Sequence, residues 1–167
     1  DAQLSRGLGD VYKRQASRNV ADGQSLVDTA EGALQETHTL LLRMREIGVQ
    51  AANGTLSTSD NQALDAEFQQ LVKEIDRIAQ NTTWAGAALL NGNAAGAEDS
   101  TATFSFQAGV GNNSGADVFS VTVKNADSTT LDLYAATSNN DDTNTIGLLS
   151  QTSAGSAITA VDGAIAT

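Results

Sequence analysis

Cysteine and proline are both absent from this chain, and aromatic residues make up only 4% of it. Without cysteine there are no disulfides and no thiolate metal ligands. Without proline nothing in the chain forces a helix to kink, which fits long uninterrupted helices and a flexible, secretion-competent chain. Positive charge is scarce as well: 9 Lys and Arg stand against 20 Asp and Glu, a formal net charge of −11. Nucleic-acid phosphates need Lys and Arg, so nucleic acid is excluded as a partner, and an anionic membrane surface is equally unsuited. No apolar run reaches the roughly 18 residues that a transmembrane helix requires, and no secretory signal is visible at the start. What remains is a chain of 167 residues, about one domain, with 40% hydrophobic residues, many of them small. A thin core of small side chains suits long packed helices. Such helices look to neighbouring subunits to bury their stripes, since packing of the apolar face supplies most helix stability.

Small and apolar residues recur mostly at three- and four-residue steps at Leu26, Ala30, Ala33, Leu34, Thr37, Leu41, Met44, Ile47, Gly48 and Ala51. That spacing lays a stripe on one helix face. A second stripe runs through Leu64, Phe68, Leu71, Ile75 and Ile78. Between them, Asn53-Gly54 offers left-handed residues to close the first helix. Ser59 or Asp60 can cap the second, with Ser59 and Gln62 at capping-box spacing. The expected core is a long antiparallel helical hairpin, coiled-coil-like. Helix one starts between Gln15 and Ser25 and ends near Asn53, about 50 Å of rod; helix two covers Asp60 to Gln80. Gly7 and Gly9 argue against a helix upstream, at about 1 kcal/mol each.

Downstream of Asn91 the helical spacing stops. Thr101–Gln107 and Val118–Val123 flank a Gly/Asn loop and predict a β-hairpin, with Leu131–Tyr134 as a third strand. Ser138–Asn144 reads as a polar linker. Ala157, Ile158, Val161 and Ile165 then resume helical spacing, capped near Thr152 or Ser153. The fold class is therefore mainly α with a small β-hairpin region (α+β). Its segments are 1–14, a helical core hairpin at 15–93, a β-hairpin region at 94–137, a linker at 138–152, and the start of a returning C-terminal helix at 153–167.

Several ordered segments resemble bacterial flagellin: Gln15-Ala16-Ser17-Arg18-Asn19, Thr29–Leu34, Leu42–Ile47 followed by Val49–Thr55, and Glu74–Ala79. Phe106-Gln107-Ala108-Gly109 resembles a family segment that packs beside the helical core. Leu89-Leu90-Asn91-Gly92 keeps another family element, preceded by a turn in which Ala85 stands where the family usually has Asn. Residues 1–14 do not match, and read as a read-through product, a cloning remnant or a divergent start. The resemblance implies that the family's terminal segments are missing and that its variable outer domain has no room near residues 138–144.

The signals for chemistry are weak. Gly109-x-Gly111 is followed by a strand, where a dinucleotide fingerprint needs a helix. His38 is the only histidine, sits off the main stripe and lacks partners for zinc or for a catalytic triad. Asp141-Asp142-x-Asn144 lacks the Gly and Glu of a calcium loop. Glu31 with Glu36, and Asp65 with Glu67, have no evident cleft. The three Asn-x-Ser/Thr sequences, at Asn53, Asn81 and Asn112, read as turns and caps. No enzyme activity, cofactor or metal is expected.

The charged constellation Arg43, Arg45, Glu46, Glu67, Gln70, Glu74 and Arg77, with Ile47 on the Arg43 face, reads either as a solvated surface or as a protein contact. The resemblance implies the second. It makes Arg43, Glu46, Ile47, Glu67, Gln70, Glu74 and Arg77 the face that packs against neighbouring filament subunits, and that the flagellin-sensing Toll-like receptor reads on the monomer. Arg43, Ile47 and Glu67 match family contact positions, and Leu71 departs from a family Arg. The implied function is a self-assembling, secreted structural subunit of the extracellular flagellar filament, serving motility. Its partners would be other flagellin subunits, an export chaperone and the receptor. Alternatives are the hook–filament junction protein and a secreted receptor-binding module.

Overall fold

A computed structural model describes residues 2–91, 101–109, 111, 117–133 and 147–167, with side chains from residue 9 onward. Its longest element is α1, Ala2–Ala51, a helix of 50 residues and so about 75 Å long. The expected start between Gln15 and Ser25 is corrected: the helix already runs at Ala2. The two glycines weighed against it cost about 1 kcal/mol each. A Cβ at Gly9 would meet nothing within 4 Å, so no packing defect adds to that cost.

The helix does not close through left-handed residues at Asn53-Gly54. Positive φ among the described residues is confined to Ala85, Gly86 and Asp132. Instead Asn53 N–H donates to Gln50 O at 3.1 Å, a tightened final turn. Helix α2 follows as Thr58–Asn81, and its cap is Ser57, two residues before the expected Ser59. Ser57 Oγ accepts from Asp60 N–H at 3.2 Å, and Asp60 Oδ2 accepts from Ser57 N–H at 3.1 Å. These reciprocal bonds satisfy two otherwise orphaned donors.

Beyond α2 the chain turns through two short strands, β1 (Thr83–Trp84) and β2 (Ala87–Ala88). Ala85 at φ 49° and Gly86 at φ 84° form the connecting turn, with positive φ at both central positions as a type I′ hairpin requires. Strands β3 (Thr101–Gln107) and β4 (Val118–Lys124) pair antiparallel, Thr101 opposite Lys124 and Gln107 opposite Val118. The hairpin is as expected. The third strand is not: residues 129–132 form turns, with Asp132 at φ 53°, and Tyr134 lies outside the described residues. Helix α3 spans Gln151–Ile165, capped by Ser150 in a capping box with Ser153 rather than by Thr152 or Ser153.

The core is a seam along α1 in two stretches. Towards its C-terminal end, Leu41, Met44, Ile47 and Ala51 pack with Phe68, Val72 and Ile75 of α2 and with Ala154, Ala157, Val161 and Ala164 of α3. Further back, where α2 reaches its last turn, Leu26 and Ala30 pack with Ala79, Leu89, Leu90, Val123 and Ala126. The hairpin β3–β4 thus continues the wall that α2 begins. Leu34, expected in the seam, is exposed instead, because its neighbour Ala33 takes the inward position.

Two returning segments are fastened to α2 by carboxylates eleven residues apart, which three helical turns bring to one face. Asp65 Oδ1 accepts from Leu148 N–H at 2.7 Å, and Asp76 Oδ1 from Ser128 N–H at 2.9 Å. Asp76 is thus a part-buried tether.

Candidate interaction surface

The expected contact residues straddle the seam between α1 and α2. Arg43, on α1, reaches across to Glu67 on α2: Nε and Nη2 both donate to Glu67 Oε1, at 3.0 and 2.7 Å. Arg43 Nη1 also donates to Glu46 Oε2 at 3.2 Å. About two to three turns further along α2, Arg77 Nε donates to Glu74 Oε2 at 2.7 Å, and Nη2 donates to Oε1. Glu36 of α1 adds its charge to the Arg77 side. The constellation is therefore two ion clusters, not one, with Gln70 exposed between them. Hydrogen bonding to Glu67 raises the pKa of Arg43, and hydrogen bonding to Arg77 holds the Glu74 carboxyl below its ordinary value.

Ile47 does not belong to this surface. It is 1% exposed and sits in the core beneath it, so its share of any surface contact is corrected to a supporting one. Arg45 faces away, towards α3, where its Nε donates to Asp162 Oδ1 at 2.6 Å. His38 is exposed, beside a shallow apolar cavity of about 330 Å³ walled partly by Leu34, Leu41, Leu131 and Ile165. Asp141, Asp142 and Asn144 lie outside the described residues, as do Asn112, Asn113 and Ser114. Gly109 and Gly111 lie between β3 and β4.

A second surface was not picked out from the sequence. Val20, Val27, Leu34, Leu42 and Val49 are all between 41% and 52% exposed. Their steps of seven or eight residues place them on one face of α1. That face lies beside the buried one, so α1 carries two apolar stripes of which the described fold covers one. Only the denser stripe was read, because the second alternates with Gln24, Glu31, His38 and Arg45.

The hairpin fixes the other end of α1. Asn19 Nδ2 donates to Gln107 O at 2.6 Å. Gly23 faces the ring of Phe119, and an added Cβ there would stand 2.9 Å from two ring carbons. Phe119 stacks on Phe106 with centroids 5.1 Å apart, and Trp84 meets Phe106 edge-on at 5.8 Å. Phe106 and Gln107 thus secure the hairpin to α1, as their resemblance to the family segment implied. Among the described residues no group of three or more acidic or histidine side chains gathers as a metal site requires, and no helix is long and apolar enough to cross a membrane.

The family model described as the bacterial flagellin N-terminal helical region matches residues 10–95. Flagellin A of Vibrio anguillarum is 51% identical over 88 residues, which are 53% of this chain and 22% of that protein. The flagellin of Halalkalibacterium halodurans is 54% identical over 77 residues, 46% of this chain and 28% of that protein. The chain thus spans about a quarter of the length of these curated relatives. The crystal structure of Bacillus cereus flagellin matches the fold with a TM-score of 0.65 at 31% identity, covering 89% of this chain and 75% of that one. With a family model covering more than half its length and the fold shared over most of it, the chain belongs to the bacterial flagellin family.

Proposed function

We propose that this chain is the helical core of a filament-forming structural subunit, exported from the cell and assembled into the bacterial flagellum for motility. The observation that carries the reading is the second apolar stripe on α1. Five large side chains lie half exposed in a row on a helix whose other apolar face is already filled. Burial of such a row against further copies is favourable by about 25 cal/mol per Å². A long rod with one filled and one open seam suits the head-to-tail contacts that generate filaments rather than closed rings. In this reading the chemistry is assembly, not turnover, and the partners are other subunits of the same kind together with an export chaperone.

Complementation tests it. The matching segment of the Vibrio anguillarum flagellin is replaced by residues 15–91 of this chain, and the chimera is expressed in a flagellin-less strain. The expected result is secreted protein and filaments visible by electron microscopy. A chimera that is folded and exported yet forms no filament would overturn the reading. The hook–filament junction alternative predicts instead short junction segments and no filament growth.

The Arg43–Glu46–Glu67 and Glu74–Arg77 clusters are the proposed protein-contact face. Their support is that these charges are exposed and held in fixed positions by each other, and that Arg43 and Glu67 match family contact positions. The Toll-like receptor reading is tested in reporter cells with Arg43→Ala and Glu67→Ala. Reduced activation is expected, and unchanged activation would remove the receptor from the proposal.

A further inference from the structure

The turn between α1 and α2 contains Asn53-Gly54, and both residues are exposed. We infer that Asn53 is a site of spontaneous covalent modification: deamidation through a succinimide to aspartate and isoaspartate. In this reaction the Gly54 backbone nitrogen loses its proton to base and attacks the Asn53 side-chain carbonyl carbon. A new N–C bond closes the five-membered ring, and the side-chain amide leaves as ammonia. Water then opens the ring at either carbonyl. Opening at the main-chain carbonyl leaves isoaspartate; opening at the other leaves aspartate. Water and hydroxide are the only co-reactants.

The fold leaves this pair free to react. Asn53 is anchored only through its backbone: its N–H donates to Gln50 O at 3.1 Å, and its carbonyl accepts from Leu56 N–H at 3.4 Å. Neither the Asn53 side chain nor the Gly54 N–H makes a hydrogen bond among the described residues. A Cβ at Gly54 would meet nothing within 4 Å, and its φ is outside the left-handed region. The fold therefore does not need glycine here. What glycine supplies is an unshielded nitrogen next to an unshielded amide, on a loop tip where local fluctuation is least restrained. Asn81 and Asn61 are placed differently. Asn81 Nδ2 donates to Arg77 O at 2.7 Å, and Asn61 lies inside α2 with Gln62 after it. Isoaspartate routes the main chain through the former side-chain carbon, adding one atom to the link between α1 and α2. Either product adds a negative charge to a chain already at −11.

The test is incubation of the folded, full chain at mildly alkaline pH, then trypsin digestion and mass spectrometry of peptide 46–73, with isoaspartyl methyltransferase labelling. The expected result is conversion at Asn53, with Asn61 in the same peptide unchanged and a rate proportional to hydroxide. Gly54→Ala is expected to abolish conversion over the same period while its circular dichroism matches the parent, because the added methyl has open space. Asn53→Ser, which removes the amide, is a second control. Equal conversion in Gly54→Ala would overturn the inference. So would an unmodified Asn53 in the folded chain under conditions that convert the synthetic peptide 46–73.

Discussion

Glycine in the middle of a helix costs about 1 kcal/mol relative to alanine, and α1 contains both Gly23 and Gly32. The structure assigns them opposite responses to the same substitution. At Gly32 a Cβ meets nothing within 4 Å, so Gly32→Ala should stabilise the protein by about 1 kcal/mol. At Gly23 the same methyl lands 2.9 Å from Phe119 Cε2 and Cζ, and 3.5 Å from Phe106 Cδ2. The Phe119 ring cannot move off freely, because it is stacked on Phe106, which is itself braced by Trp84. Overpacking of this kind costs about 1–3 kcal/mol. Set against the helical gain, Gly23→Ala should be neutral to destabilising by about 2 kcal/mol. The two alanines should therefore differ by about 1–3 kcal/mol. Urea unfolding followed by circular dichroism measures the stability. Fluorescence of Trp84, the only tryptophan, reports whether the hairpin has left the helix. Phe119→Ala removes the obstacle, so in that background Gly23→Ala should stabilise as Gly32→Ala does. Equal stabilisation by both single alanines would refute the close approach of hairpin and helix.

The remaining predictions concern the turn, the cap, the tethers and pH. Ala85 holds φ 49°, a conformation that costs a non-glycine residue about 1–2 kcal/mol and that asparagine tolerates better. Ala85→Asn should therefore raise the thermal midpoint, and a lowered one would contradict the turn. Ser57→Ala should cost about 1 kcal/mol in denaturant unfolding, whereas Ser59→Ala should cost nothing measurable; the reverse order would return the cap to Ser59. Asp76→Ala leaves the part-buried Ser128 N–H without its acceptor, at a cost of about 1–3 kcal/mol, visible as faster hydrogen exchange at that amide. Bonds from Ser57 hold Asp60 below its ordinary 3.8, and Arg77 holds Glu74 below its ordinary 4.5. A depressed carboxyl pKa stabilises the fold above the unfolded value, and that contribution is lost as pH falls through the folded value. Helix content should hold down to about pH 4.5 and weaken below it, and Asp60→Asn should flatten that acid dependence.

The buried seam was legible because its spacing is local and dense. Leu26, Ala30, Leu41, Met44 and Ile47 announce one face, and Phe68 and Ile75 another. The two stripes, the hairpin and the returning helix therefore stand as read. Leu34 failed because two adjacent residues cannot both face one seam, and sequence alone does not choose between Ala33 and Leu34. The cap slipped by two because Ser57, Thr58, Ser59 and Asp60 are all capping residues, and only the folded geometry selects Ser57 with Asp60. The third strand failed where Asp132 adopts a positive φ that no strand permits. Asp65 and Asp76 carried no signal, because their partners lie 83 and 52 residues away. In the candidate surface, the Arg43 to Glu67 bonds join residues 24 apart on different helices, which local spacing does not show, whereas the burial of Ile47 was already implied by its place in the α1 stripe and conflicted with its assignment to a contact face.

In the proposed function the open stripe on α1 is the surface that a further subunit covers, and because the sequence has no cysteine it can be measured directly. A single Leu34→Cys in the chimeric filament protein gives one thiol in the stripe. Its reaction rate with a maleimide is compared between monomer and assembled filament. Fast labelling is expected in the monomer and strong protection in the filament. Labelling at the same rate in both states would show that the stripe stays in water after assembly.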